Sequence, residues 1–282
     1  MSKKRKHTVG DFIRGVIFIV ALAVFLFSGY QLFKIYKEYK TGTDEYDQIR
    51  EAVFQIKPES ESNGNASNGN ASIGNESEKT GPILINGIEL KTLLGTKYQC
   101  NFDQLLAINS EVVGWIRIED TNIDYPVVQT SDNEKYLRTT LEGEWNNAGT
   151  IFVDSRVEVP FISENTMIHG HNQRNKAMFH DLTLYMDKEF WESHPYVTIL
   201  TPEKNYLYQI YSCYQSPNVS KTYNCQFSGK EQYQEYLTYT MSQSIYDTGI
   251  TVSSSDRIIT LSTCNNDWED TRMVVHAKLI SG

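Results

Sequence analysis

The feature that most limits the possible folds is a succession of short β-rich segments in the last two thirds of the chain, each bounded by turn residues. Gly114–Ile118, Ile123–Val128, Thr150–Val153, Thr166–His169, Tyr196–Leu200, Tyr206–Tyr214, Arg257–Leu261 and Met273–Leu279 are rich in β-branched and aromatic residues. No regular helical crossover is evident between them. This argues for a mostly β fold, an eight-stranded barrel closed or nearly closed on itself. A short helix is expected ahead of the strands, where Phe102, Leu105 and Leu106 follow Asn101 and Gln104 in the spacing of a loose capping box. One long excursion, Gln215 to Ser255, interrupts the strands. Ser228 and Glu231 have capping-box spacing there, Tyr233, Tyr236, Leu237 and Met241 recur at helical spacing, and Gly249 supplies a stop. A helix-bearing loop of this length suits the wall of a binding groove.

The N-terminal part has a different character. Lys3, Lys4, Arg5 and Lys6 precede an apolar run from Gly15 to Phe33, long enough to cross a bilayer, and the basic cluster favours the cytoplasmic side. A cleaved signal peptide is the alternative, but Ala21-Leu22-Ala23 lies inside the apolar run rather than after it. The expected organisation is a cytoplasmic basic tail over 1–14, a single-pass anchor over 15–33 and a juxtamembrane amphipathic helix over 34–58. Tyr46, Ile49, Ala52, Val53 and Ile56 carry that helix and Pro58 ends it. Residues 59–81 are low-complexity Asn, Gly, Ser and Glu, a flexible linker whose sequons at Asn65, Asn70 and Asn75 follow from its repeated composition. Residues 82–282 form the exported domain. The formal charge is −9; the first forty residues carry eight Lys/Arg against Asp11 and Glu38, which leaves −15 for the rest and argues against a nucleic-acid partner.

Four cysteines, Cys100, Cys213, Cys225 and Cys264, do not make a disulfide scaffold in a domain of this size, and whether Cys213 pairs with Cys225 is left open. Arg257-Ile-Ile-Thr-Leu-Ser-Thr-Cys264 reads as a buried strand ending in a thiol, broken at once by Asn265-Asn266-Asp267. Alternation places Ser262 on the same face as Cys264. Eight residues on, Arg272 opens the final strand, so a hairpin brings its guanidinium beside the thiol, where it can favour the thiolate and stabilise an oxyanion. An amide-cleaving thiol needs a proton donor for the departing amine. Among the histidines, His171 in Ile168-His-Gly-His-Asn172 follows a strand and a glycine, as suits a barrel rim. His194 and His276 read as structural.

Thr260-Leu-Ser-Thr-Cys264 followed by Arg272, with Gly170-His171-Asn172 upstream, resembles the sortases of Gram-positive bacteria, class B in particular. Val113-Gly-Trp-Ile116, Asp124-Tyr-Pro-Val-Val-Gln129 and the helix-bearing loop before the cysteine strand support the resemblance, which covers roughly Phe102 to Ile280. It implies a sortase-like β-barrel with N-terminal helices, with Cys264 as nucleophile, His171 as general acid and base, and Arg272 as stabiliser of the oxyanion or of the bound peptide. Ser262, Thr263 and Asn172 are expected to line the substrate site. One departure is His169, where many relatives carry Tyr, so that two imidazoles stand two residues apart.

The resemblance further implies a cysteine transpeptidase that cleaves a Pro-x-Thr sorting signal after Thr through a thioester. The acyl group then passes to an amine of peptidoglycan or of a lipid-linked precursor. The implied partners are sorting-signal-bearing surface proteins and the cell membrane, and no metal or organic cofactor is required. Four other readings compete with it. A cysteine protease would resolve the thioester with water. A non-catalytic wall-associated module would use Cys264 only for packing. A phosphatase loop would need Cys and Arg closer together with glycine between. A zinc site through His169 and His171 lacks clear further ligands.

Overall fold

The structure, a computed structural model, describes residues 9–56, 84–85, 88–89, 98–264 and 271–282. In chain order its elements begin with helix α1 (Val9–Val53), strand β1 (Phe54–Ile56), the two-residue strands β2 (Leu84–Ile85) and β3 (Ile88–Glu89), β4 (Tyr98–Cys100) and helix α2 (Phe102–Ile108). There follow β5 (Val112–Arg117), β6 (Asp124–Gln129), β7 (Ile151–Val153), β8 (Asn165–Gly170), helix α3 (Lys188–Ser193), β9 (Tyr196–Leu200) and β10 (Asn205–Pro217). Helix α4 (Lys230–Gln243), β11 (Ile258–Cys264) and β12 (Thr271–Ser281) complete the chain.

Eight strands close into a barrel in the order β10-β12-β11-β8-β7-β6-β5-β9, as the eight β-rich segments predict. Two neighbouring pairs are parallel, β6 with β7 and β8 with β11; the others are antiparallel. Strands β7 and β9 are buried along their whole length, which explains the unbroken apolar run of β7 and the single polar residue, Thr198, in β9. The hydrophobic core includes Trp115, Ile116, Val127, Ile151, Met167, Ile199, Leu261 and Val275, all essentially inaccessible. Gly149 is fixed by packing: it has φ +59°, and a Cβ there would lie 2.4 Å from the carbonyl oxygen of Tyr136.

The N-terminal segment departs from expectation. Anchor and amphipathic helix are one continuous α1, and it ends at Val53, with Phe54–Ile56 pairing as β1 against β4 instead of extending the helix to Pro58. The barrel accounts for this. Tyr46 donates from its hydroxyl to the Gly149 carbonyl (2.7 Å), Arg50 pairs with Asp124, and Ile49 and Val53 are buried, so the last turns are held against the barrel until the chain enters the strand.

Helix α2 keeps its expected cap, with Asn101 Oδ1 accepting from the Gln104 N–H (3.1 Å). Helix α4 does not. Gly229 occupies the cap position, and it is Gln232, not Glu231, whose side chain reaches back to the Ser228 N–H. The helix stops at Gln243, six residues before Gly249, because the Ile245 N–H turns to the Cys213 carbonyl on β10 (2.9 Å). A helical stretch absent from the sequence reading, the 3₁₀ segment His180–Met186 followed by α3, joins β8 to β9. Cys100, Cys213 and Cys225 are free thiols. The expected linker 59–81 with its sequons, residues 1–8 of the basic tail, and Asn265–Asp267 fall outside the described residues.

Candidate active site

Strand register brings the sequence-predicted residues to one rim. Across the β11/β12 hairpin, Cys264 is the backbone partner of Arg272. On the other side of β11, parallel β8 runs level with it, Ser262 beside His169 and Thr263 beside Gly170. The next residue along each strand is Cys264 on β11 and His171 after β8. Cys264, His171 and Arg272, separated by up to about a hundred residues in sequence, therefore stand at adjacent strand ends. Gly170 is needed between the two histidines, since a Cβ there would come within 2.7 Å of the Phe179 ring.

A cleft of about 470 Å³ opens over this rim, lined by His169, Gly170, His171, Ser262, Thr263 and Arg272 from the strands. Leu137 and Asn133 line one side, and Asn218, Val219, Ser220, Tyr223 and Asn224 come from the excursion after β10. His171 is half-buried, and its Nε2 lies 2.8 Å from the carbonyl oxygen of Leu137. A carbonyl can only accept, so Nε2 carries the proton and Nδ1 keeps the lone pair. Burial pushes the His171 pKa down and the Leu137 carbonyl opposes that shift, while the guanidinium groups of Arg138 and Arg272 add to the lowering.

His169 makes a different set of contacts. Its Nε2 pairs with Asp154 Oδ2 at 3.0 Å, and its ring lies 5.3 Å from that of Phe152. Asp154 is buried and is also held by Arg156 through Nε to Oδ1 and Nη2 to Oδ2, both 2.8 Å. Burial alone would raise the Asp154 pKa, but the hydrogen bonds from Arg156 and His169 outweigh it and hold the carboxyl well below the usual carboxylate range. The two histidines thus have separate tasks: His169 belongs to an ion-pair cluster on the cleft floor, and His171 stands at the rim.

The cleft wall is braced from the same floor. Arg156 Nη2 donates to the Tyr223 carbonyl (3.2 Å), and Gln226 donates back to the Arg156 carbonyl (2.8 Å). Behind the wall, Tyr236 donates to the Thr222 carbonyl, and Tyr233 and Leu237 of α4 pack on Tyr211 and Ile258. The helix predicted in the excursion therefore supports the wall rather than forming its lining. Asp154, Arg156 and Tyr223 escaped the sequence reading. A triplet Asp-Ser-Arg at the end of β7 is the only local sign of the ion pair, and nothing near Tyr223 marks it.

Ser262 and Thr263 are among the residues lining the cleft, and Asn172 is not. Its Oδ1 is 2.7 Å from His180 Nδ1, and its backbone bridges to Met178, so it closes the turn after β8. The buried hydroxyls of Thr263 and Tyr223 have no hydrogen-bond partner among the described residues; Tyr223 lies beside Ser262 and Ser216 without completing a bond to either.

This barrel, with a cysteine strand paired to an arginine strand and lying parallel to a histidine strand, agrees with a family match: the sortase domain model covers residues 116–280. The chain belongs to the sortase family of cysteine transpeptidases. Within that family its similarity is to sortase B. It is 38% identical to the sortase B of Listeria monocytogenes over 179 residues, 63% of this chain and 73% of the relative. The crystal structure of Clostridium perfringens sortase B superposes with a TM-score of 0.61 at 37% identity, over 64% of this chain and all of that one. A Staphylococcus aureus sortase B–substrate complex superposes with a TM-score of 0.61 at 33% identity, over 64% of this chain and 85% of that one.

Proposed function

We propose that the chain is a single-pass membrane transpeptidase, with its N-terminus cytoplasmic and residues 82–282 outside as the catalytic domain. It cleaves a Pro-x-Thr sorting signal after Thr and passes the acyl group to a cell-wall peptide amine. One observation supports this reading: backbone register sets Cys264 opposite Arg272 and one step beyond the Thr263–Gly170 pair that precedes His171, and His171 and Arg272 line a single cleft. The anchor is supported by the exposed apolar helix near the N-terminus.

His171 Nδ1 accepts the Cys264 proton, giving thiolate and imidazolium together, and the neighbouring Arg272 charge stabilises the thiolate. Sγ attacks the Thr carbonyl carbon; the oxyanion that forms is met by the Arg272 guanidinium. The C–N bond breaks as the imidazolium returns its proton to the departing amine, leaving a thioester. An acceptor amine then adds to the same carbon, His171 takes its proton, and the C–S bond breaks to regenerate the thiolate. Ser262, Thr263 and the Tyr223 hydroxyl bind the extended peptide in this scheme. Asn172 acts only by holding the turn that carries His171.

Incubating the chain with a panel of sorting peptides, with and without a glycine-based amine, tests the proposal by mass analysis of the products. A ligated product that depends on the amine and is lost in Cys264→Ala is expected. Hydrolysis alone in the presence of amine would assign the chain to proteolysis, and cleavage that survives Cys264→Ala would remove the mechanism.

A further inference from the structure

Helix α1 is an unbroken rod with two kinds of surroundings. Its large apolar side chains are exposed from Phe12 to Tyr36, with the uncharged run ending at Phe33, and protein contact begins at Glu38. There Asn146 Nδ2 donates to the Glu38 carbonyl (3.2 Å), and the Asn147 N–H donates to Glu38 Oε1 (2.9 Å). Further along, the Glu142 N–H donates to Glu45 Oε1 (3.2 Å). The loop between β6 and β7 is thus laid along α1 with its Asn146–Asn147 corner nearest the apolar half.

The helix fixes the height of that corner. Five residues separate Phe33 from Glu38, about 7.5 Å at the rise of an α-helix. The polar layer outside the hydrocarbon core is about 5–7 Å thick on each side. An α1 that crosses a bilayer therefore sets the corner at the level of the lipid headgroups, and any tilt lowers it. Beside the corner stands Trp145, 65% exposed, an indole of the kind that partitions to this layer. Arg138, exposed and hydrogen-bonded to Asn147, adds a cation beside the phosphates. Glu142 faces Glu45, about 10 Å further along the helix and clear of the headgroups.

We propose that the Arg138–Asn147 loop is a membrane-contacting face of the domain, seated in the headgroup layer of the bilayer that α1 crosses, with Trp145 as its interfacial anchor. The inference rests on the anchor reading. It also places the cleft, because the same loop is tied to the rim: Leu137 accepts from His171, and Asn147 accepts from Gln173 (2.8 Å). The site opens close to the membrane, within reach of a membrane-held substrate.

The test uses the full chain in vesicles of phosphatidylcholine and phosphatidylglycerol with brominated acyl chains, which quench tryptophan on contact. Trp115 is fully buried, and comparison with Trp145→Phe isolates Trp145 from the remaining tryptophans. The expected result is that the quenched part of the emission falls about two-fold or more in Trp145→Phe, while both proteins float with the vesicles. Equal quenching in two floating proteins would overturn the membrane face and leave the anchor standing. A chain that does not float would overturn the anchor, and the membrane face with it.

Discussion

The buried layer between β12 and α4 around His276 and the cleft around His171 each hold an imidazole that burial drives toward its neutral form, yet only one of the two regions is built for proton transfer. His276 lies wholly buried on β12, stacked 5.4 Å from the Tyr214 ring, with Nδ1 2.9 Å from Thr260 Oγ1 and Nε2 3.0 Å from the Tyr214 hydroxyl. Both ring nitrogens are satisfied, and the pKa falls to about 3. His171 shares the direction of the shift, but only Nε2 is committed to a carbonyl, and its neighbours are a cleft and two guanidinium groups. Desolvation alone does not make a catalytic histidine; a lone pair left available beside a nucleophile does.

The comparison breaks most visibly through His171. His171→Ala is expected to lower kcat/KM for sorting-peptide cleavage by about 10³–10⁴-fold, in the upper range for loss of a general acid and base. His276→Leu should leave the rate per folded molecule near wild type. Equal losses in the two variants would contradict the division of roles.

Arg272→Ala comes next, with an expected fall of about 10²–10³-fold, the scale of a lost oxyanion donor. It carries a second signature. The Arg272 charge helps lower the His171 pKa, so its removal lets the imidazole protonate more readily and moves the acid limb of the kcat/KM profile to higher pH. A limb that stays in place would mean that the two groups do not interact.

Stability against pH sharpens the other half of the comparison. His276 titrates near 6.5 when unfolded and at about 3 in the fold, so between those values only the unfolded chain takes up the proton. Stability is therefore lost as pH falls through this window, by up to about 1.4 kcal/mol per unit. Urea midpoints should follow that slope and flatten in His276→Leu. The variant itself should cost about 1–2 kcal/mol near pH 7, because Thr260 and Tyr214 keep other partners.

The smallest expected effect belongs to the cleft floor. Asp154→Asn frees Arg156 and loosens its hold on the Tyr223 carbonyl, so KM should rise about five-fold, roughly 1 kcal/mol, with kcat little changed. Steady-state kinetics over a range of peptide concentrations separates the two constants.

Much of this was legible in the chain. The eight β-rich segments match the barrel strands because each alternates or runs apolar for a physical reason, and the thiol and guanidinium are close in sequence because they flank one hairpin. His171 was harder, since β8 meets β11 only through a parallel pairing across some ninety residues, and here the family resemblance supplied what periodicity could not. Asn172 was assigned to the cleft by its place beside His171, but the turn directs it to His180. The roles of Tyr223 and Arg156 arise from contacts between loops distant in sequence, whereas the docked face of α1, Tyr46, Ile49 and Val53, follows the helical spacing read from the chain.

The most direct test of the central claim is the intact mass of the protein mixed with a sorting peptide and no acceptor amine. The account predicts an adduct equal to the peptide fragment ending in Thr, carried on Cys264, released by added amine and absent in Cys264→Ala. Peptide cleavage without such an adduct, or an adduct on another residue, would contradict it.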